Sequence, residues 1–241
     1  MKRMILIVLR NLYRVPYAWL TLWRYARHTD QYTDEQRFSI IWKIVRWVVD
    51  GARVHLEAFG QENIPRDSGF VFFPNHQGLF DPFAIADACP VPFTAVYKQE
   101  LKNIPFLKQI LACVKAVSLD RDNIRQGLAV IKQVAMEVHE GRNFLIFAEG
   151  TRSRDGNQVL DFKSGSFKSA MMARCPIVPV ALIDSYKVFD ANSIAPLSVQ
   201  VHFLPALRYE QYKEMDTAQV ANWVKEAIVS AIGEHTGAVA A

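Results

Sequence analysis

The chain has 241 residues, 51% of them hydrophobic and 22% charged. That balance excludes a disordered segment, and the length admits one α/β domain, or one domain with a small appendage. The net charge of +4 is uneven: residues 1–56 hold ten Lys/Arg against four Asp/Glu, a balance of +6 that leaves −2 for the rest. A basic segment on a mildly acidic body points to an anionic surface as partner, either lipid headgroups or nucleic acid. Three scattered cysteines, Cys89, Cys113 and Cys175, exclude a disulfide framework and carry no metal-ligand spacing. They read as small buried apolar residues.

The N-terminus does not read as a secretory signal. The apolar run Met4 to Leu9 is short, Arg10 and Arg14 interrupt it, and no small-residue cleavage site follows. No uncharged apolar run approaches the ~18 residues of a membrane span. Residues 3–27 and 35–53 instead read as two amphipathic helices. In the first, Arg3, Arg10, Tyr17 and Arg24 recur every seven positions beside Arg14 and Thr21, a polar and basic stripe on an otherwise apolar helix. Pro16 kinks that helix or starts a second segment. In the second, Phe38, Ile41, Trp42, Val45, Val48, Val49 and Ala52 form the apolar face, and Asp34 is the expected cap. The polar link from Thr29 to Asp34 makes a helical hairpin of the pair. Four tryptophans, Trp19, Trp23, Trp42 and Trp47, and the basic excess suit helices lying in a bilayer interface. The same faces would also suit packing on the chain's own domain or on a partner subunit.

From residue 53 strand-like and helical stretches alternate. Strands are expected at 53–60, 69–74, 93–97, 115–119, 144–148, 177–183 and 198–204. Helices are expected at 81–88, 104–111, 123–140, 166–174 and 217–232. In the helix over 123–140, Ile124, Leu128, Ile131, Val134, Ala135 and Val138 are expected to point inward, and Gly141 closes it. The alternation predicts an α/β layer fold with a largely parallel sheet flanked by helices, in residues 54–241, behind the N-terminal hairpin of residues 1–53. Ligands of such sheets gather at the carboxyl ends of the strands.

Two segments with chemical content directly follow expected strands. Asn75-His76-Gln77-Gly78-Leu79-Phe80-Asp81 sets a histidine five positions before an aspartate, in a turn where a carboxylate on the far ring nitrogen can fix the tautomer of a base. No serine or cysteine is equally placed beside it, so the hydroxyl to be activated would belong to a substrate. Phe147-Ala148-Glu149-Gly150-Thr151-Arg152-Ser153-Arg154 opens a polar loop. There Gly150 lets backbone N–H groups approach an anion, Thr151 adds a donor, and Arg152 offers a planar fork for phosphate oxygens. Lys98 and Arg121 stand at neighbouring strand ends.

The order is Asn-His-x4-Asp, then Lys98-x-Glu100-Leu101 with Ile104-Pro105, then Asp120-Arg121. Phe-x-Glu-Gly-Thr-Arg-Ser, Phe162-Lys163-Ser164-Gly165 and Cys175-Pro176-Ile177-Val178-Pro179-Val180 follow. Over about residues 50–210 this set resembles the glycerolipid acyltransferases, and within them the 1-acylglycerol-3-phosphate acyltransferases; the hairpin looks like the membrane-docking helices of bacterial members. The resemblance implies transfer of a fatty acyl chain from acyl-CoA or acyl-acyl-carrier-protein, as cosubstrate, to the sn-2 hydroxyl of 1-acylglycerol 3-phosphate (lysophosphatidic acid). The product would be phosphatidic acid in phospholipid synthesis. It implies no cofactor and no metal, and a monotopic or peripheral place on the cytoplasmic face of the cell membrane, against anionic phospholipids. His76 matches the family's catalytic base and Asp81 its partner. Lys98, Arg121, Glu149, Gly150, Thr151 and Arg152 match positions linked to the acceptor and its phosphate, and Pro179 lies in the fourth motif. Two positions depart from the pattern: Ala148 stands where proline is usual, and Gly78 where serine or threonine is common. Glycerol 3-phosphate or another lysolipid is an alternative acceptor within the same class. An inactive lipid-binding protein is a further alternative, which the intact His76, Asp81 and Glu149 to Arg152 disfavour. No nucleic-acid motif accompanies the basic N-terminus.

Overall fold

Short runs of β-branched and aromatic residues become seven strands in the computed structural model, which describes residues 2–67 and 69–237. They are β1 (Val54–Phe59), β2 (Val71–Pro74), β3 (Thr94–Lys98), β4 (Val117–Leu119), β5 (Phe144–Leu145), β6 (Ile177–Ile183) and β7 (Leu197–Phe203). The helices are α1 (Lys2–Asn11), α2 (Val15–Arg27), α3 (Asp34–Ala52), α4 (Asp81–Ala88), α5 (Leu107–Cys113), α6 (Ile124–His139), α7 (Lys168–Ala173), α8 (Lys187–Asp190), α9 (Tyr209–Tyr212) and α10 (Thr217–Thr236). The strands form one sheet in the order β1-β7-β6-β2-β5-β3-β4. Every neighbouring pair is parallel except β6 with β7. The expected α/β fold with a largely parallel sheet is therefore the fold observed. The carboxyl ends of β6, β2, β5, β3 and β4 line one edge.

Side chains alternate across the strands and build a core on each face. Phe72, Leu145, Val178, Val180 and Leu182 meet α2, α3 and α4 on one side. Val71, Phe73, Phe144, Ile177, Ala181 and Ile183 meet α6, α7 and α10 on the other. This is a helix–sheet–helix sandwich. Phe38, Ile41, Val45 and Val49 of α3 share their cluster with Phe72 and Val199.

The N-terminal helices differ from expectation in instructive ways. A 3-10 turn over Leu12–Arg14 separates α1 from α2, and Pro16 sits in the first turn of α2, where its missing N–H has no helical partner to lose. The cap of α3 is Thr33, not Asp34. Thr33 is extended, its hydroxyl accepts from Gln36 N and the Gln36 side chain accepts from Thr33 N, a reciprocal capping box. The basic stripe of the first helix turns partly inward. Arg3 is fully buried and donates to Ala52 O and Ala195 O, Asn11 donates to Trp47 O, and Arg14 lies over the Trp47 ring at 4.9 Å. Gly51 permits this approach, since a Cβ there would lie 2.6 Å from Asn11 Nδ2 and 3.5 Å from Ile7 Cα. The apolar side of α1 and α2 is consequently the outer one. Among the described residues, eleven of the twenty exposed large hydrophobics lie between Met4 and Trp23. No helix there is long and apolar enough to cross a membrane.

The buried face of α6 begins later than the apolar spacing predicts. Ile124 is 82% exposed and Leu128 is exposed as well, whereas Val130, Val134, Ala135 and Val138 are buried. At the first turn Gln126 faces the protein, its Oε1 accepting from Asp120 N at 2.6 Å.

Candidate active site

Pro74 ends β2, and the next side chain continues the ladder in its place. Asn75 Nδ2 donates to Leu182 O at 3.0 Å and its Oδ1 accepts from Leu182 N at 2.7 Å. The chain then turns across the strand ends into α4, with His76 and Asp81 facing each other. His76 Nδ1 lies 2.7 Å from Asp81 Oδ2. Gln77 N and Gly78 N donate to the same oxygen at 2.7 and 2.9 Å, and Ser185 Oγ donates to Oδ1 at 2.6 Å. Asp81 is fully buried, whereas the His76 side chain is 19% exposed. With Nδ1 facing the carboxylate, Nε2 is the ring nitrogen left for a substrate. No serine, threonine or cysteine hydrogen-bonds it among the described residues. The ring stacks on Phe147, with centroids 4.0 Å apart.

The loop after β5 clamps this turn from the other side. Glu149 is buried, and its two oxygens accept from His76 N at 2.7 Å and Leu160 N at 3.2 Å. Ser153 N donates to His76 O at 2.8 Å. Burial pushes the Glu149 carboxyl up to about 7, against the two backbone donors that favour its charged form. Both of its oxygens are thus engaged by the protein's own backbone rather than directed at a ligand. Ala148 is buried and its carbonyl accepts from Lys163 N at 2.9 Å, so the position where proline is usual is held by packing and one ladder-like bond.

Gly150 follows with φ +72°, a conformation that favours glycine. Its carbonyl accepts from the Arg121 guanidinium, which joins the end of β4 to this loop. The Lys163 side chain lies across the other side, where a Cβ on Gly150 would sit 3.0 Å from Nζ. Arg121, Gly150, Glu149, His76 and Asp81 form one connected set. Lys98, Thr151 and Arg152 lie on the same edge without joining it: Lys98 Nζ pairs with Glu100 Oε1 at 2.8 Å, Thr151 is exposed and Arg152 is half-buried. Pro179 lies inside β6, paired in register with Phe73. The three cysteines are buried and their thiols are pushed up to about 12 by that burial, which makes them poor nucleophiles.

Sequence reasoning gave no role to Ser185 or Gln77, and quoted Lys163 only within the Phe162-Lys163-Ser164-Gly165 motif. Ser185 stands two residues beyond β6, as His76 stands two beyond β2. The strand-end rule was the available signal.

A histidine–carboxylate pair at the strand ends, beside a glycine turn flanked by cations, is the equipment of a group-transfer enzyme. The sequence profile of the family described as Acyltransferase matches residues 55–183, more than half of the chain. The chain belongs to the acyltransferase family and is an enzyme of that family. The 1-acyl-sn-glycerol-3-phosphate acyltransferase of Borreliella burgdorferi is 31% identical over 189 residues, covering 78% of this chain and 74% of that relative. The enzyme of the same name from Escherichia coli is 29% identical over 165 residues, 68% of this chain and 67% of the relative. The crystal structure of the 1-acyl-sn-glycerophosphate acyltransferase of Thermotoga maritima superposes with a TM-score of 0.79 at 21% identity, covering 98% of this chain and 96% of that one. That last likeness is one of fold.

Proposed function

We propose that the chain transfers a fatty acyl group from an acyl thioester, on coenzyme A or acyl carrier protein, to the sn-2 hydroxyl of 1-acylglycerol 3-phosphate, yielding phosphatidic acid. The observation that carries this reading is the His76–Asp81 pair at 2.7 Å with Nε2 facing no protein nucleophile. A base without its own hydroxyl needs one from the acceptor. His76 Nε2 takes the hydroxyl proton as that oxygen attacks the thioester carbonyl, and Asp81 stabilises the imidazolium. The tetrahedral intermediate then expels the thiolate as the C–S bond breaks, and the proton on Nε2 leaves with the thiol. The step balances without a cofactor. The acceptor class is supported by the names of the relatives and by the cations Arg121, Arg152 and Lys163 around Gly150, which suit a phosphate monoester. The assay that decides compares acceptors: kcat/KM is expected to be at least about tenfold higher for 1-acylglycerol 3-phosphate than for glycerol 3-phosphate. The reverse order would reassign the acceptor.

Arg152 is assigned to the acceptor phosphate. Arg152→Ala is expected to raise the acceptor KM about tenfold or more, with kcat and the thioester KM little changed, in steady-state kinetics. A defect confined to thioester use would contradict the assignment.

The outward apolar side of α1 and α2, with Leu20 65% and Trp23 45% exposed, is read as the membrane-contacting surface. It would place the enzyme as a monotopic or peripheral protein on the cytoplasmic face of the membrane, drawing its lipid acceptor from the bilayer. Leu20→Glu with Trp23→Glu leaves the buried Ala18 and Leu22 untouched. Co-sedimentation with anionic phospholipid vesicles is expected to fall about tenfold or more in this variant. Unchanged binding would contradict the reading.

A further inference from the structure

Asp81 holds His76 with one oxygen, and the other oxygen has a single donor. Oδ2 accepts from His76 Nδ1, Gln77 N and Gly78 N. Oδ1 accepts from Ser185 Oγ at 2.6 Å. Asp81 and Ser185 are both essentially inaccessible to water, so no solvent molecule can replace that hydroxyl without a rearrangement. The two oxygens turn together about the Cβ–Cγ bond, so the Ser185 hydroxyl on Oδ1 adds a restraint on the opposite side to the three donors on Oδ2, and without it Oδ1 would be a buried charged oxygen with no donor.

Ser185 itself is held in place by side chains on three segments. Ser185 N donates to Gln77 Oε1 at 2.9 Å. Gln77 Nε2 donates to Asn157 Oδ1 at 2.8 Å and to Leu182 O at 2.9 Å. Asn157 in turn brackets the preceding residue, its Nδ2 donating to Asp184 Oδ1 at 3.0 Å and its Oδ1 accepting from Asp184 N at 2.8 Å. Asp184 has φ +65°, a left-handed conformation that aspartate adopts more readily than most side chains, and the bracket holds it there. The next residue closes over the catalytic turn: a Cβ on Gly78 would lie only 3.3 Å from Tyr186 Cα. A side chain at Gly78 would require the segment after β6 to give by a few tenths of an ångström.

We infer that Ser185 is a positioning residue of the acyl-transfer site, its hydroxyl fixing the free oxygen of Asp81 so that the carboxylate holds the His76 ring in the reacting orientation. Ser185 does not touch substrate. It acts through Asp81 on His76, and the inference rests on the proposed role of His76 as base. The hydroxyl stays a donor throughout the reaction and no proton leaves it.

The test is a double-mutant cycle on the full chain with acyl-CoA and 1-acylglycerol 3-phosphate. In the wild-type background Ser185→Ala is expected to lower kcat about tenfold, with both KM values within about twofold, since a lost bond to a buried charge is of that order. In the His76→Ala background the same change is expected to alter the residual rate by less than about twofold, because nothing remains to be oriented. Equal losses in both backgrounds, an effect on KM alone, or an unchanged kcat in Ser185→Ala would overturn the inference. Ser185→Cys keeps the side-chain shape with a weaker donor and serves if the alanine variant unfolds. Its kcat is expected to be lowered, and wild-type turnover in it would overturn the inference. Near-normal turnover in His76→Ala would instead refute the base assignment, and the cycle separates the two failures.

Discussion

His76→Ala is expected to lower the rate of acyl transfer by about 10²–10⁴-fold, the usual contribution of a positioned general base. The fold should survive. The imidazole is partly exposed and packs on Phe147. Its removal still leaves Asp81 three donors, Gln77 N, Gly78 N and Ser185 Oγ. The buried carboxylate is not orphaned, so the loss of stability should be about 1–2 kcal/mol at most. Steady-state kinetics beside a thermal melt separate the two effects. A variant that folds and turns over at the wild-type rate would remove His76 from the mechanism.

The second large effect is expected at Glu149, through structure rather than contact with substrate. Glu149→Ala would leave His76 N and Leu160 N without their acceptor in a buried setting. At about 1–3 kcal/mol for each buried donor left unpaired, the loss is on the order of 2–6 kcal/mol. The clamp also fixes the backbone of the base, and a shift of about 1 Å there can cost about 10²-fold in rate. Titration gives an independent check. Burial raises the Glu149 carboxyl from its ordinary 4.5 to about 7. The folded chain then keeps a proton that the unfolded chain releases between those values. Stability from this group is fully present below 4.5, falls as pH rises toward about 7, and is gone above it. Glu149→Gln, which cannot titrate, is expected to flatten that slope in denaturation curves taken from pH 4.5 to 8. A slope equal to that of the wild type would show that Glu149 does not carry it.

Much of the fold was legible because the periodicities were strong. The seven strands and the long helices α3, α6 and α10 fall close to where alternation and apolar spacing put them. The errors came from properties that depend on neighbours. The stripe of Arg3 and Arg14 was a sound pattern, but a pattern does not say which side the protein covers. Carbonyls at the end of α3 and the Trp47 ring drew the polar side inward. Ile124 and Leu128 fit the helical period of α6 yet face outward, because Gln126 makes the inward contact at that turn. Thr33 rather than Asp34 caps α3, a choice made by backbone angles one residue apart.

In the site, the resemblance located His76, Asp81, Arg121 and the loop from Glu149 to Arg152, and five of these residues fall in one connected set. What it left unread were interactions between distant segments. The sequence separation of 104 between Ser185 and Asp81 hides a 2.6 Å bond. Glu149, grouped by its motif with positions linked to the acceptor, also engages the backbone 73 positions away.

The claim underlying all of this is that the acceptor, not the protein, supplies the nucleophile. Intact-protein mass measurement after incubation with acyl-CoA tests it most directly, first alone and then with 1-acylglycerol 3-phosphate. The expected result is an unmodified chain in the first case, and phosphatidic acid with one free thiol per product in the second. A chain heavier by one acyl group before acceptor is added, and relieved of it when acceptor arrives, would contradict the mechanism.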